Sequence, residues 1–347
     1  MDFGIYSFGD VGTDPASGER TSPAQAISEL LERIRLAEQV GLDYFGVGEH
    51  HRPEYAVTSP STILAAAAAV TSKIRLGSAV TVLSTEDPVR VYQQFASIDL
   101  ISGGRAELVA GRGSFIESFP LFGADLGDYD ALFAEKLDLL LQIDRSERVT
   151  WSGRFRPALQ DAEILPRPAN GSLDIWIATG GNPESSARAG ELGLPVSYAI
   201  IGGRPARFAP LFELYRRSAA RAGHDPVRLK TAVAGPGFVG SDSGQAKETF
   251  YPYWIENMRK ISAERGFSIP TRDTYDELTS PGGAIFAGSP NEVADRMLET
   301  HQVLGNDRHG LQMDWSGVPH ELVMRSIELF GTEVAPQIKA ELAGRNR

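Results

Sequence analysis

Short apolar runs alternate with amphipathic segments along the chain, and the period of each run assigns its element. Phe3 to Phe8 reads as a first strand. From Pro23 to Val40 the apolar residues Ile27, Leu30, Leu31, Ile34 and Ala37 share one helical face. A strand over Tyr44 to Gly48 precedes an alanine-rich helix, Pro60 to Val70. The next strand–helix pairs are Ile74 to Leu83 with Pro88 to Ile101, and Glu107 to Ala110 with Tyr129 to Ile143. A Pro- and Gly-punctuated stretch, Val149 to Pro168, reads as a hairpin or loop excursion. Asp174 to Ala178 with Pro183 to Gly190 follows, and then Pro195 to Ile201 with Arg204 to Ala222. Leu229 to Gly237 is the seventh strand; Leu311 to Asp314 is the eighth, with a closing helix from Pro319.

Eight strand–helix units in a chain of this length predict an α/β fold, a (β/α)8 TIM-like barrel. The rival, a doubly wound open sheet, carries its glycine fingerprint after the first strand. Here that turn is Gly9-Asp10-Val11-Gly12-Thr13, which does not match. Gly235-Pro236-Gly237-Phe238-Val239-Gly240 matches G-x-G-x-x-G literally, but it lies at a late strand and contains a proline. No shift of composition marks a boundary, so residues 1–347 are expected to form a single barrel domain. It would carry an insertion after strand 7, about Gly240 to Asn306, which is longer than one helix requires. Such an insertion is expected either as a lid over the catalytic rim or as outer-wall packing.

Composition narrows the function. With 34 Lys and Arg against 45 Asp and Glu the net charge is −11, which disfavours nucleic acid and anionic membrane as partners. It leaves room for one local basic site for a phosphate. The absence of cysteine excludes disulfides, thiolate nucleophiles, iron–sulfur ligation and cysteine zinc sites. The longest apolar run, Ile63 to Val70, is too short to span a bilayer. Met1-Asp2-Phe3-Gly4 shows no signal-peptide pattern, so a cytoplasmic location is expected.

Three consecutive strand ends concentrate chemistry, and on one rim of a parallel barrel such ends converge. Glu49-His50-His51 closes the second strand. Adjacent strand residues face opposite sides, so at most one imidazole reaches the centre, and Glu49 can fix its tautomer or orient it. A metal reading of this pair lacks further ligands at suitable spacing. Gly77-Ser78-Ala79-Val80 on the third strand is small enough for a flat ring to lie against, or simply packs the barrel. Arg112, between Gly111 and Gly113 after the fourth strand, suits a phosphate because a guanidinium donates two parallel hydrogen bonds; a surface turn is the plainer alternative. After the fifth strand, Thr179-Gly180-Gly181-Asn182-Pro183 offers backbone N–H groups at a helix start, with Asn182 as the cap. Together with Arg112, that turn points to a phosphate-bearing cofactor. Asp99 and Arg105 read as a structural helix–turn ion pair. Met313-Asp314-Trp315 either walls the pocket or packs the core.

Gly41-Leu42-Asp43-Tyr44 through Glu49-His50-His51, Ile74-Arg75-Leu76-Gly77, Asp99-Leu100-Ile101-Ser102-Gly103-Gly104-Arg105, Gly111-Arg112-Gly113 and the Gly180-Gly181 turn stand in one order and spacing. In this the chain resembles the bacterial luciferase-like flavin-dependent monooxygenases. The resemblance implies reduced FMN, commonly supplied by a separate NAD(P)H–flavin reductase. The flavin reacts with O2 to give a C4a-peroxide that oxygenates a small organic substrate. It implies a homodimer, a catalytic histidine at His50 with Glu49 orienting it, and a phosphate arginine at Arg112. It also implies a non-proline cis peptide at Ala79–Val80 beneath the flavin ring. Ser78, Ala79, Val80, Arg112, Gly113, Gly180, Gly181 and Asn182 are accordingly the expected cofactor contacts. Where some relatives have a cysteine beside that arginine, this chain has Gly111. The nearest alternative is an F420-dependent hydride-transfer oxidoreductase on the same barrel. A metal-dependent barrel hydrolase and a non-catalytic flavin-binding protein are alternatives of other classes.

Overall fold

Near-continuous apolar runs suit parallel strands buried on both faces, and here they close on themselves. The computed structural model describes residues 1–14, 18–113 and 115–345. The barrel strands are β1 (Asp2–Ser7), β2 (Tyr44–Val47), β3 (Arg75–Ser78), β4 (Ala106–Gly111), β5 (Asp174–Thr179), β6 (Val196–Ala199), β7 (Thr231–Val239) and β8 (Arg308–Gln312). Each pairs in parallel with the next, and β8 pairs with β1, which closes a (β/α)8 barrel. Helices fill the connections. Several begin with proline after a capping side chain, an arrangement that satisfies an otherwise orphaned amide. Ser22 Oγ accepts from Gln25 N at 3.2 Å, Asp87 Oδ1 from Val89 N at 2.9 Å, and Asn182 Oδ1 from Ser185 N at 3.0 Å. No helix among the described residues is long and apolar enough to cross a membrane.

Residues 240–306 fold into helices Ser243–Arg265, Arg272–Thr279 and Pro290–Leu304, with a short strand Phe286–Gly288 that adds to β7. Val149 to Pro168 contains an antiparallel hairpin, Arg148–Trp151 with Leu159–Glu163. The expected third strand is interrupted: it stops at Ser78, passes through a cis peptide at Ala79–Val80, and resumes as Thr81–Val82 beside β4. The expected Asp99–Arg105 pair is not formed. Asp99 instead accepts from the Ala106 and Ala169 amides, at 3.3 and 2.8 Å. Arg105 donates to the carbonyls of Ala68, Thr71 and Ile74, closing the end of helix Pro60–Val70.

The eighth strand begins three residues earlier than its apolar run suggests, because its first positions are a buried arginine and a buried histidine. Arg308 reaches across the barrel to Glu107 on β4, four strands away, with Nη1–Oε2 2.7 Å and Nη2–Oε1 2.8 Å. Its guanidinium lies 4.2 Å from the Tyr44 ring centroid and 4.8 Å from that of Trp176. Arg75 donates to the same carboxylate and, at 2.5 Å, to Asp174. Burial alone would raise Glu107, but the two guanidiniums overcome it and hold the carboxyl below the ordinary glutamate value. His309 points away from this network. It is fully buried, its nitrogens make no hydrogen bond, and its ring stands 4.5 Å from Phe286. Burial first, then Arg296 and His301, push it down to about 3.

Two outcomes follow. Glu107→Leu strands the Arg308 cation in the interior and lowers unfolding stability by about 3–5 kcal/mol, read by urea denaturation. An unchanged midpoint would contradict the role given to this pair. The unfolded chain protonates its histidines near 6.5, whereas folded His309 stays neutral down to about 3. Its stabilisation is therefore complete above pH 6.5 and is lost as pH falls toward 3. His309→Leu should move the acid-unfolding midpoint to lower pH, measured by circular dichroism.

Candidate functional site

The carboxyl ends of the strands open onto a cavity of about 460 Å³. The Arg308 guanidinium with Tyr44 and Trp176 contributes to its lining deep in the barrel. Ser78, Ala79 and Val80 form one side. The interrupted β3 fits there because its neighbours are glycines: a Cβ on Gly46 would lie 2.8 Å from Ala79 Cβ, and one on Gly111 would lie 2.5 Å from Val80 Cγ2. Gly111, noted as a departure from the cysteine-bearing pattern, is thus the residue that leaves Val80 its place. Ser78 Oγ bridges to β4, donating to Val109 O at 3.1 Å and accepting from Val109 N at 3.0 Å.

Of the two imidazoles, His50 lines the cavity. Its ring sits 4.4 Å from Phe8, 4.6 Å from Tyr55 and 4.8 Å from Phe115, a cage of aromatics from three separate segments. Burial first, then the Arg52 cation and the neighbouring His51 ring, push its pKa down to about 3, so the ring is neutral at pH 7. Glu49 does not orient His50. Its Oε1 lies 2.9 Å from His51 Nε2, and its Oε2 accepts from Val82 N at 3.0 Å. The carboxylate therefore fixes His51 and pins the chain where β3 resumes. This corrects the expected partner: residues two apart on extended backbone share a side, so Glu49 meets His51 and not His50.

Arg112, also on the cavity lining and with a side chain 19% exposed, donates through Nη2 to Ser185 Oγ at 3.2 Å. That contact joins the end of β4 to the start of helix Pro183–Leu192. Gly113 and Gly180 also line the cavity, and a Cβ on Gly180 would meet nothing within 4 Å. The expectation of bare amides across this turn is corrected in part. The amides of Gly181 and Asn182 donate to Thr179 Oγ1 at 3.2 and 3.1 Å, and the Asn182 side chain caps the helix. Gly181 and Asn182 shape the turn, while Gly180 and Ser185 stand beside Arg112.

Several site residues carried no sequence signal: Tyr55 and Phe115 lie outside the strands, and Arg308 precedes the apolar run of the last one. Phe8, the expected end of the first strand, lies just beyond β1. Trp315, undecided between wall and core, lines the cavity. Near it is a buried acid pair: Asp314 accepts from Ser7 Oγ at 2.5 Å and from Arg33 at 3.0 Å, and Asp10 accepts from Ser316 N at 2.8 Å and Gln312 at 3.3 Å. Burial and the Asp314 charge hold Asp10 well above the usual carboxylate range. Helix Ser243–Arg265 contributes Asn257 and Ile261 to the cavity. Among the described residues no group of three or more His, Asp or Glu side chains is placed to hold a metal.

The 4-hydroxyprotoasukamycin monooxygenase of Streptomyces nodosus subsp. asukaensis is 27% identical over 335 residues, covering 93% of this chain and 90% of that protein. Monooxygenase RslO1 of Streptomyces bottropensis superposes with a TM-score of 0.85 at 25% identity, covering 97% of this chain and 99% of that one. The oxygenating constituent of 3,6-diketocamphane monooxygenase from Pseudomonas putida, solved in complex with FMN, shares the fold, with a TM-score of 0.78, 20% identity, and 97% and 98% of the two chains covered. The model of the luciferase-like monooxygenases matches residues 1–307, and the chain belongs to that family of enzymes.

Proposed function

We propose that the protein is an FMN-dependent monooxygenase that transfers one atom of O2 to a small, largely apolar organic substrate. The observation that carries the reading is the Arg112–Ser185 contact on the lining of a single cavity that the caged His50 also lines. A guanidinium beside a helix start suits a phosphate. The glycine-relieved face at Ser78–Val80 suits a flat ring system. FMN joins these two groups in one molecule, so the residues present fit it.

Arg112 and Ser185 would hold the phosphate, with the backbone at Gly180 close by. Ser78, Ala79 and Val80 would support the ring, with Gly46 and Gly111 keeping Ala79 and Val80 in place. Bound reduced FMN supplies two electrons, so that one oxygen atom of O2 enters the substrate and the other leaves as water. His50, neutral at pH 7, presents a lone pair on one ring nitrogen and an N–H on the other, so it can take and return a proton without ever carrying a stable charge. Phe8, Tyr55 and Phe115 around it exclude water. Trp315, Asn257 and Ile261 would contact substrate. That part of the lining is mostly apolar, which supports an apolar substrate class.

Reaction with reduced FMN, 18O2 and a panel of apolar compounds should give a product carrying one 18O atom. A deazaflavin-type spectrum of the bound cofactor, with a product free of label, would instead establish F420-dependent hydride transfer and overturn the proposal. His50→Ala should keep FMN affinity within about threefold while product per reduced flavin falls about 100-fold or more. Unchanged product yield would remove His50 from the chemistry.

A further inference from the structure

Arg112 already has an anion at its side. Its Nη1 donates to Asp130, the second residue of helix Tyr129–Arg145, while Nη2 holds Ser185. The preceding residue, Tyr129, sets its ring centroid 5.1 Å from the guanidinium and donates its hydroxyl to Gly113 O at 2.8 Å. The cation is thus held by an aromatic face and a serine, and one edge of it is given to a carboxylate. The Asp130 side chain is 67% exposed. An ion pair so close to solvent adds little to stability. Its place in the first helical turn gains the helix only a small dipole term. Neither explains a carboxylate against a guanidinium that lines the cavity beside a helix start.

We propose that Asp130 sets the affinity of the phosphate subsite by competing with the cofactor for Arg112. An arriving phosphate carries close to two negative charges at pH 7. To use Nη1 it must displace the Asp130 carboxylate and then sit within a few ångströms of it. The result is a deliberately weak grip, suited to a flavin that enters reduced and leaves oxidised in each cycle rather than one held permanently. The proposal rests on the FMN reading above.

The test is anaerobic titration of the full-length protein with reduced FMN and, separately, reduced riboflavin, which lacks the phosphate. Asp130→Asn keeps an oxygen that can accept from Nη1 but removes the charge; Asp130→Ala removes both. Both variants should bind FMN about tenfold more tightly at low salt, with the gain shrinking above about 0.5 M salt as the repulsion is screened. Riboflavin affinity should be the same in all proteins, which also certifies that the variants are folded. Arg112→Ala should bring FMN down to the riboflavin level. If Arg112→Ala does so but Asp130→Asn binds FMN no better or worse than wild type, Asp130 merely steadies the arginine and this proposal falls alone. If wild type and Arg112→Ala bind FMN and riboflavin equally, the FMN reading falls and takes the proposal with it.

Discussion

The bond between Arg308 and Glu107 crosses the barrel interior, and the depth of the cavity depends on it. Parallel barrels are ordinarily filled by layers of branched apolar side chains. Here the lower interior is occupied by a cation and an anion from opposite strands, enclosed by Tyr44 and Trp176 and braced by Arg75 and Asp174. Two charges in a dry interior are tolerated only when each satisfies the other with good geometry. The bidentate pair meets that condition. Above it the strand ends carry small residues, Ser78, Ala79 and Gly111, and so the space stays open.

The cavity has two electrostatic characters. Around His50 the walls are aromatic and the imidazole is held neutral by burial and by the neighbouring Arg52 cation. At Arg112 the environment is wetter, charged and built on a helix start. A molecule with a flat apolar part and an anionic tail would match that gradient. Glu49 ties the two halves to the backbone: it holds His51 and the Val82 amide, which fixes the chain immediately after the Ala79–Val80 peptide.

Much of this was legible in the residues. Apolar runs located all eight strands, because strands covered on both faces read as near-continuous hydrophobic stretches. The Pro-started helix after Asn182 was visible from its capping chemistry. What stayed hidden was set by contacts distant in sequence. The true start of β8 was masked because Arg308 is polar, and its burial makes sense only with Glu107, 201 positions away. Arg112 and Ser185 are 73 residues apart, so their meeting is a property of the closed barrel. Tyr55 and Phe115 sit on loops without period, and nothing local distinguishes them from surface aromatics. The Glu49–His51 pairing was within reach of the same alternation, which puts residues two apart on one side and Glu49 opposite His50.

The most direct test of the central claim, that one cavity seats a phosphate at Arg112 and a flat ring against Ala79–Val80 near His50, is a crystal structure of the protein with FMN. The account predicts the phosphate in contact with Arg112 and Ser185, the ring lying along Ser78–Val80, and His50 facing its reactive edge. FMN bound with its phosphate elsewhere, or with its ring outside the barrel mouth, would contradict it.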